Sequence, residues 1–187
     1  PVLLMTGLTG MDVSNASLYD GASALGEALL MALRANKKNT SGRVLMPKAV
    51  HPYYREVVDA TAQAQGVKQT LLDFCPKQGK TLLDQLKQYE GQDITAVVIQ
   101  QPNFFGVMED VDAITDWAHA NGAMVVASVN PMSLAVLKAP RQWGATGADI
   151  ACGEGQPLGA PLASGGPYFG FLTTKMLFLC VGVAFAL

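Results

Sequence analysis

The part of this chain with the most potential for ligand chemistry is a glycine- and proline-rich run at residues 153–167, GEGQPLGAPLASGGP. Glycines allow a backbone to approach a bound ligand closely. The run contains no lysine, so it offers no amine that could condense with an aldehyde. Glu154 is a candidate acid or ion-pair partner there, and we expect it chiefly to make structural hydrogen bonds.

Other polar side chains come directly after predicted strands, where ligands bind in sheets of parallel strands. They are Lys48, His51, Asn103 and Asn130. His51 precedes a proline, a position typical of a hydrogen-bonded turn residue, and Asn103 is also typical of a turn. Lys48 and Lys138 could supply an amine in principle, but we interpret both as solvated surface lysines.

Alternating helical and strand patterns predict an α/β fold with a mostly parallel sheet covered by helices on both faces. Strands are predicted at residues 43–47, 67–72, 96–100, 123–129, 149–152 and 168–173, and helices at 20–36, 52–65, 81–91 and 111–121. Asp20 is the predicted N-cap of the first helix. A helix N-terminus is a generic anion site, but Asp20 would repel a phosphate, and we interpret this turn as an ordinary capped helix.

Composition limits the function. The chain has 187 residues, half of them apolar, and a formal charge of −2, which is typical of one globular domain and predicts no nucleic-acid partner and no membrane partner. The widely spaced Cys75, Cys152 and Cys180 predict reduced, buried thiols of the cytoplasm or an organelle matrix. Only His51 and His119 are available as histidine ligands, so no metal site is expected.

Two common enzyme motifs are also missing. The glycines at 153 and 155 are followed by Pro157, which would break the helix that a dinucleotide-binding fingerprint must open. No Gly-x-Ser-x-Gly sequence occurs, so a hydrolase with a serine on a sharp turn has no support.

Three segments carry a resemblance to a known family. They are the glycine-rich run, VSNASLYDGASALGEALLMA at residues 13–32 and VVIQQPNFFGVMEDVDAI at residues 97–114. Together they resemble the first subunit of two-chain glycine dehydrogenase (decarboxylating), the pyridoxal-phosphate enzyme called P protein of the glycine cleavage system. The resemblance covers residues 2–176. It implies the large domain of the aminotransferase-like (fold type I) pyridoxal-phosphate superfamily.

The resemblance also gives roles to residues. Gln156 stands where the catalytic half of the enzyme has its Schiff-base lysine, and Asn130 where it has the acid that pairs with the pyridinium nitrogen. His51 matches a histidine stacked on the cofactor ring, and Asn103 an asparagine near the phenolic oxygen of that ring. These four are therefore candidate pocket residues, and no residue of this chain is expected to be catalytic.

The implied function is that of a subunit that makes no Schiff base. Catalytic subunit 2 would hold pyridoxal phosphate covalently, glycine would lose its carboxyl group there, and the aminomethyl group would pass to the lipoyl carrier H protein. We expect residues 1–176 to be a piece of the large domain, residues 177–187 to be an apolar tail too short to cross a membrane, and the isolated chain to be inactive. The alternatives are an independent pyridoxal-phosphate enzyme and a structural partner outside glycine metabolism.

Overall fold

The computed structural model describes residues 2–15, 18–162 and 165–178. The strands are β1 (Val13–Ser14), β2 (Arg43–Pro47), β3 (Lys68–Leu72), β4 (Ala96–Gln101), β5 (Met124–Val129), β6 (Ile150–Glu154) and β7 (Gly170–Thr174). The helices are α1 (Val2–Thr9), α2 (Gly21–Ala35), α3 (Pro52–Ala62), α4 (Leu83–Lys87) and α5 (Val111–Ala120). The strands form one sheet in the order β1-β7-β6-β5-β4-β2-β3.

Most of this sheet is parallel, which confirms the predicted fold class. β3, β2, β4, β5 and β6 run in the same direction. β7 pairs with β6 in the antiparallel sense, and β1 pairs with β7 in the same way. Since β7 runs in the opposite direction, its first residue, Gly170, lies opposite Glu154 at the carboxyl end of β6.

The sheet separates two hydrophobic cores, because successive residues of a strand point to opposite faces. On β4, Ala96 and Val98 pack into one core with α2 and α3. Val97 and Ile99 pack into the other core with α1, α4 and α5. Both faces of the central strands are therefore apolar, as their continuous apolar runs predict, and helices cover both faces.

Two helices begin at the carboxyl edge of the sheet with side-chain caps. Asp20 Oδ1 accepts a hydrogen bond of 2.7 Å from the backbone N–H of Ser23 at the start of α2. His51 Nδ1 accepts one of 3.2 Å from the N–H of Tyr53 at the start of α3, where Pro52 fits the first turn. These caps fix where each helix meets the strands that it covers.

The structure differs from the predicted elements at three places. The helix expected at residues 81–91 is shorter in the structure, where α4 covers only Leu83–Lys87. Beyond α4 the chain continues in turns with hydrogen bonds between residues three apart, up to Gly91, whose φ is +72°. α1 and β1 were not predicted, since β1 has only two residues and α1 has no apolar stripe distinct from a polar face. Residues 179–187 of the predicted apolar tail lie outside the described residues.

Other expectations concern thiols, metals and membranes. Cys152 is buried but Cys75 is only half-buried, and both are free thiols, while Cys180 lies outside the described residues. Within residues 2–15, 18–162 and 165–178 no three His, Cys, Asp or Glu side chains are grouped to hold a metal ion. No helix of this described part has both the length and the apolar character needed to span a bilayer.

Candidate functional site

A cleft of about 390 Å³ opens at the carboxyl ends of β2, β4, β5 and β6. Its walls are formed by residues at the ends of these strands and in the segments that follow them: His51, Tyr54, Gln100, Pro102, Asn103, Phe104, Ser128, Val129, Asn130, Gly153, Glu154 and Pro157. The structure thus brings three of the predicted pocket residues together, His51, Asn103 and Asn130. Gln156 lies beside the cleft and does not line it.

His51 stands at the mouth of the cleft in a group of aromatic rings. Its ring centroid lies 5.0 Å from that of Phe104, edge to face, and 5.1 Å from that of Tyr54. Its backbone N–H donates to Gln100 Oε1 at 2.7 Å, and its Nδ1 caps α3. The ring therefore has a structural role at the start of α3, and stacking on a ligand remains a prediction.

Asn103 is 4% exposed, and its amide is used within the protein. Nδ2 donates to the carbonyl of Gly79 at 2.7 Å and to Glu109 Oε1 at 2.8 Å. Oδ1 accepts from the backbone N–H groups of Phe105 and Val107, both at 3.0 Å. Both amide donors are thus used, and so are both lone pairs of the oxygen, which favours the turn-forming role. Contact with a ring oxygen of a ligand remains a prediction.

This loop ends on a buried carboxylate. Glu109 Oε2 accepts from the backbone N–H of Thr81 at 3.0 Å, and Oε1 accepts from Asn103. Burial raises the pKa of Glu109, and these hydrogen bonds offset only part of that effect, so the pKa stays above its ordinary value. The carboxylate ties the loop after β4 to the segment that precedes α4.

Asn130 and Gln156 are neutral amides with different surroundings. Asn130 is exposed, and its Oδ1 accepts from the N–H of Met132 at 3.0 Å. Gln156 donates from Nε2 to the carbonyl of Ala160, so its amide turns into its own loop. Neither side chain can condense with an aldehyde, and neither carries the negative charge that would hold a protonated pyridinium.

Glu154 makes the structural hydrogen bonds that the sequence predicts, and it joins three separate segments. Its Oε2 accepts from the backbone N–H of Gly21, the first residue of α2, at 2.9 Å. Its Oε1 accepts from the N–H of Gln156 at 2.9 Å and from that of Phe169 at 3.0 Å. The antiparallel β7 makes this possible, since it brings Phe169 to the carboxyl end of β6.

Tyr54, in the first turn of α3, also lines the cleft and was not among the predicted pocket residues. Burial, together with the negative charge of Glu154, raises the pKa of its phenol. A Cβ atom built on Gly21 would lie 2.4 Å from the Tyr54 hydroxyl oxygen. Its position was available from the sequence, because the first turn of a helix that follows a strand faces the carboxyl edge of the sheet.

The two lysines considered as substitute amines lie elsewhere. Lys48 Nζ pairs with Asp73 Oδ1 at 2.6 Å, and Lys138 Nζ pairs with Asp112 Oδ1 at 2.8 Å. Neither lines the cleft, and no other lysine or arginine does so among the described residues. Glu154 is therefore the one charged side chain described in the cleft wall.

These side chains do not fit pyridoxal phosphate. The cofactor needs an amine for its aldehyde, an acid for its pyridinium nitrogen and a donor set for its phosphate. In the described wall the cleft offers no amine, and the carboxylate of Glu154 already accepts three backbone hydrogen bonds. The N–H of Gly21, which could have bound a phosphate, already donates to the Glu154 carboxylate. We therefore derive no reaction step through a cofactor bound in this chain.

Comparisons with known proteins place these observations in one family. The glycine cleavage system P-protein family matches residues 3–179. A probable glycine dehydrogenase (decarboxylating) subunit 1 of Thioalkalivibrio sulfidiphilus is 64% identical over 172 residues, which is 92% of this chain. The chain spans 38% of the length of that relative.

Solved structures agree with the sequence relatives. A crystal structure of the glycine decarboxylase (P-protein) of the glycine cleavage system, in inhibitor-bound form, superimposes with a TM-score of 0.83 at 43% identity. That match covers 94% of this chain and 38% of the solved one. The sphingosine-1-phosphate lyase of Burkholderia pseudomallei superimposes with a TM-score of 0.73 at 13% identity, over 96% of this chain and 45% of its own. At that identity the likeness shows the fold alone. The fold is that of the fold type I pyridoxal-phosphate enzymes, and the chain belongs to the glycine cleavage system P-protein family.

Proposed function

We propose that this chain belongs to the subunit of glycine dehydrogenase (decarboxylating) that makes no Schiff base. Residues 1–176 would be a piece of its large domain. Its relative is named subunit 1, which supports a second subunit as partner. Pyridoxal phosphate would then be held covalently by that second subunit, where glycine is decarboxylated.

One observation carries this proposal. The cleft lies at the carboxyl ends of the parallel strands, where ligands bind in such sheets, yet its described wall contains no lysine. Gln156, which the family resemblance aligns with the Schiff-base lysine, uses its amide within its own loop. A domain that keeps the fold and has no amine in its cleft is suited to support a reaction that another chain performs.

The contribution of this chain would be structural and protective. It would cover the cofactor pocket of the catalytic subunit, exclude water that could protonate a carbanion there, and shape the path by which the lipoyl arm of the H protein arrives. The free thiols of Cys75 and Cys152 suit a reducing compartment, so we place the protein in the cytoplasm or an organelle matrix.

The test is co-expression of the full-length protein with the catalytic subunit. We expect the two to co-elute in gel filtration, and we expect glycine-dependent exchange of carbon dioxide to require both. Separate elution, together with full activity of the catalytic subunit alone, would contradict the proposal and favour a structural role outside glycine metabolism.

The isolated chain gives a second test. We expect no glycine-dependent exchange of carbon dioxide from this chain, because its cleft offers no amine in the described wall. Borohydride treatment after addition of pyridoxal phosphate serves as the control. Reductive labelling of one defined lysine, together with exchange activity, would favour an independent pyridoxal-phosphate enzyme.

A further inference from the structure

We infer that Glu154 is a specificity-determining residue that closes this cleft to ligands carrying a phosphate group. Its carboxylate fills, from within the chain, the position at the N-terminus of α2 where an anion would bind. The inference rests on the proposed function and deepens it, since it names the side chain that keeps a phosphorylated cofactor out of this subunit.

Glu154 already uses the backbone donors that a phosphate would need. The N-terminus of a helix binds phosphate through backbone N–H groups and a favourable dipole. At α2 the N–H of Gly21 donates to Glu154 Oε2 at 2.9 Å. Two more backbone N–H groups, those of Gln156 and Phe169, converge on Oε1 at 2.9 and 3.0 Å. The carboxylate thus has the partners that an oxyanion would need.

The charges around the N-terminus of α2 also disfavour a phosphate. Asp20 places another carboxylate at the same helix end, where its Oδ1 accepts from the N–H of Ser23 at 2.7 Å. A phosphate dianion would therefore meet two carboxylates, Asp20 and Glu154. No lysine or arginine lines the described part of the cleft to offset them. Like charges in so small a space disfavour binding strongly.

The N-terminus of α2 also leaves little space for a ligand. A single Cβ atom built on Gly21 would lie 2.4 Å from the Tyr54 hydroxyl oxygen and 2.8 Å from the backbone nitrogen of Glu154. Atoms of the chain already pack this closely around the first residue of α2. A phosphate oxygen that took the hydrogen bond of the Gly21 N–H would have to occupy the position of Glu154 Oε2, so it does not fit while that side chain is present.

The experiment measures thermal unfolding of this chain in inorganic phosphate and in chloride at matched ionic strength. The variants are Glu154→Ala, Asp20→Asn and the double variant. Asparagine keeps the helix cap while it removes the charge. Phosphate also stabilises folded proteins in general, so the criterion is the rise in unfolding temperature beyond that of the unsubstituted chain.

We expect no such excess for Asp20→Asn alone, a partial excess for Glu154→Ala, and a saturable excess of about 2–4 °C for the double variant. Glu90→Ala, which removes an exposed glutamate in the turn after α4, is the matched control and should show no excess. An excess of the same size in Asp20→Asn or Glu90→Ala would overturn the inference, and so would its absence in the double variant.

If Glu154→Ala does not fold, Glu154→Ser combined with Asp20→Asn is measured in the same way, and the same excess is required. A direct check uses pyridoxine 5′-phosphate, which has no aldehyde and cannot react with lysines. It should bind the double variant more tightly than pyridoxine does, and equal binding of the two would contradict the inference. These assays need neither a partner subunit nor turnover, so their failure and a failed co-elution test are independent results.

Discussion

Polar atoms at the carboxyl edge of the sheet are mostly used by the chain itself. The Asn103 amide makes four hydrogen bonds that hold the loop after β4, and the Glu154 carboxylate makes three. The carbonyl oxygen of Asn130 adds two turn contacts with Ser133, from its N–H at 3.1 Å and its Oγ at 2.7 Å. The hydrogen-bonding capacity of these residues therefore stabilises loops.

Replacing Asn103 by alanine tests this structural role. The change leaves two backbone N–H groups, a carbonyl and the buried Glu109 without their partner, so we expect the free energy of unfolding to fall by about 2–4 kcal/mol. The measurement is denaturant unfolding. The matched control is Asn130→Ala, an exposed asparagine whose side chain makes one hydrogen bond, for which we expect a loss of less than about 1 kcal/mol. Equal losses in the two variants would contradict this role.

The sequence could predict which residues follow each strand, but it could not predict what their polar atoms bind. His51, Asn103 and Asn130 were predicted near a common edge because parallel strands end together. The partners of Glu154 are Gly21 and Phe169, which are 133 and 15 residues away along the chain. No local pattern links such positions, so only the folded arrangement reveals that the carboxylate is satisfied.

At the scale of elements, the close packing of β6 against the end of β5 requires a glycine at position 153. A Cβ atom built on Gly153 would lie 2.1 Å from the backbone carbonyl oxygen of Val129 and 3.0 Å from the Phe171 ring. The nearest atom is backbone, so no side-chain rotation can make room. The next residue, Glu154, accepts a hydrogen bond from the N–H of Gly21 at the start of α2.

Gly153→Ala should therefore lower the free energy of unfolding by about 2 kcal/mol or more, because the two strands must move apart. Gly7→Ala, in α1, is the matched control, since nothing lies within 4 Å of a Cβ atom there. We expect it to be neutral or to stabilise the chain by up to about 1 kcal/mol. Thermal unfolding of the two variants provides the measurement, and a neutral Gly153→Ala would contradict the argument.

The amino ends of β5 and β6, opposite the cleft, are held together by the buried carboxylate of Asp149. Asp149 Oδ2 accepts from His119 Nε2 of α5 and from the N–H of Val125 of β5, both at 2.9 Å. Its Oδ1 accepts from Lys175 Nζ, just after β7, at 2.7 Å. Burial alone would raise the pKa of Asp149, but the hydrogen bonds and the charge of Lys175 outweigh burial, and the pKa lies below its ordinary value.

The sign of the pH effect follows from this lowered pKa. Asp149 contributes stability at pH values above about 3.9, the value of an unfolded aspartate, and the contribution is lost as the pH falls through the folded pKa. We expect Asp149→Asn to lose about 3 kcal/mol at neutral pH and to show a flatter fall in stability below about pH 5. Asp73→Asn, which breaks the exposed pair with Lys48, is the control and should lower the free energy of unfolding by less than about 1 kcal/mol. Parallel acid-unfolding curves for Asp149→Asn and the unsubstituted chain would contradict this role.

Several predicted strands were accurate because their apolar pattern was continuous. The strand at residues 43–47 and the buried runs in β4 and β5 were located to within a residue or so, because continuous apolar runs are required for strands buried on both faces. The antiparallel direction of β7 was not predictable, since an apolar run has no direction. α1 was missed because its residues show no amphipathic period.

At the scale of the whole molecule, the sheet divides the interior into two cores, and the central strands belong to both. Val97 and Val98 are neighbours in β4, yet they pack against different sets of helices. β3 lies at one edge of the sheet and pairs only with β2 among the described strands. Local opening should therefore begin at the edge and reach the centre last.

Hydrogen exchange tests this order. We expect the backbone amides of β4 and β5 to exchange most slowly, at rates close to those of global unfolding, and those of β3 to exchange at least about tenfold faster. Mass spectrometry of peptides that cover each strand gives the measurement. Equal protection of β3 and β5 would indicate that a further contact covers the edge.

The three backbone N–H groups that donate to Glu154 also bear on how this domain folds after synthesis. A subunit that relies on a small molecule to order its helix start must wait for that molecule after synthesis. Here the group that orders the start of α2 is the Glu154 carboxylate, which is part of the polypeptide. The start of α2 can therefore become ordered once the chain has been synthesised as far as Phe169. The folding of this region would then not depend on the supply of cofactor.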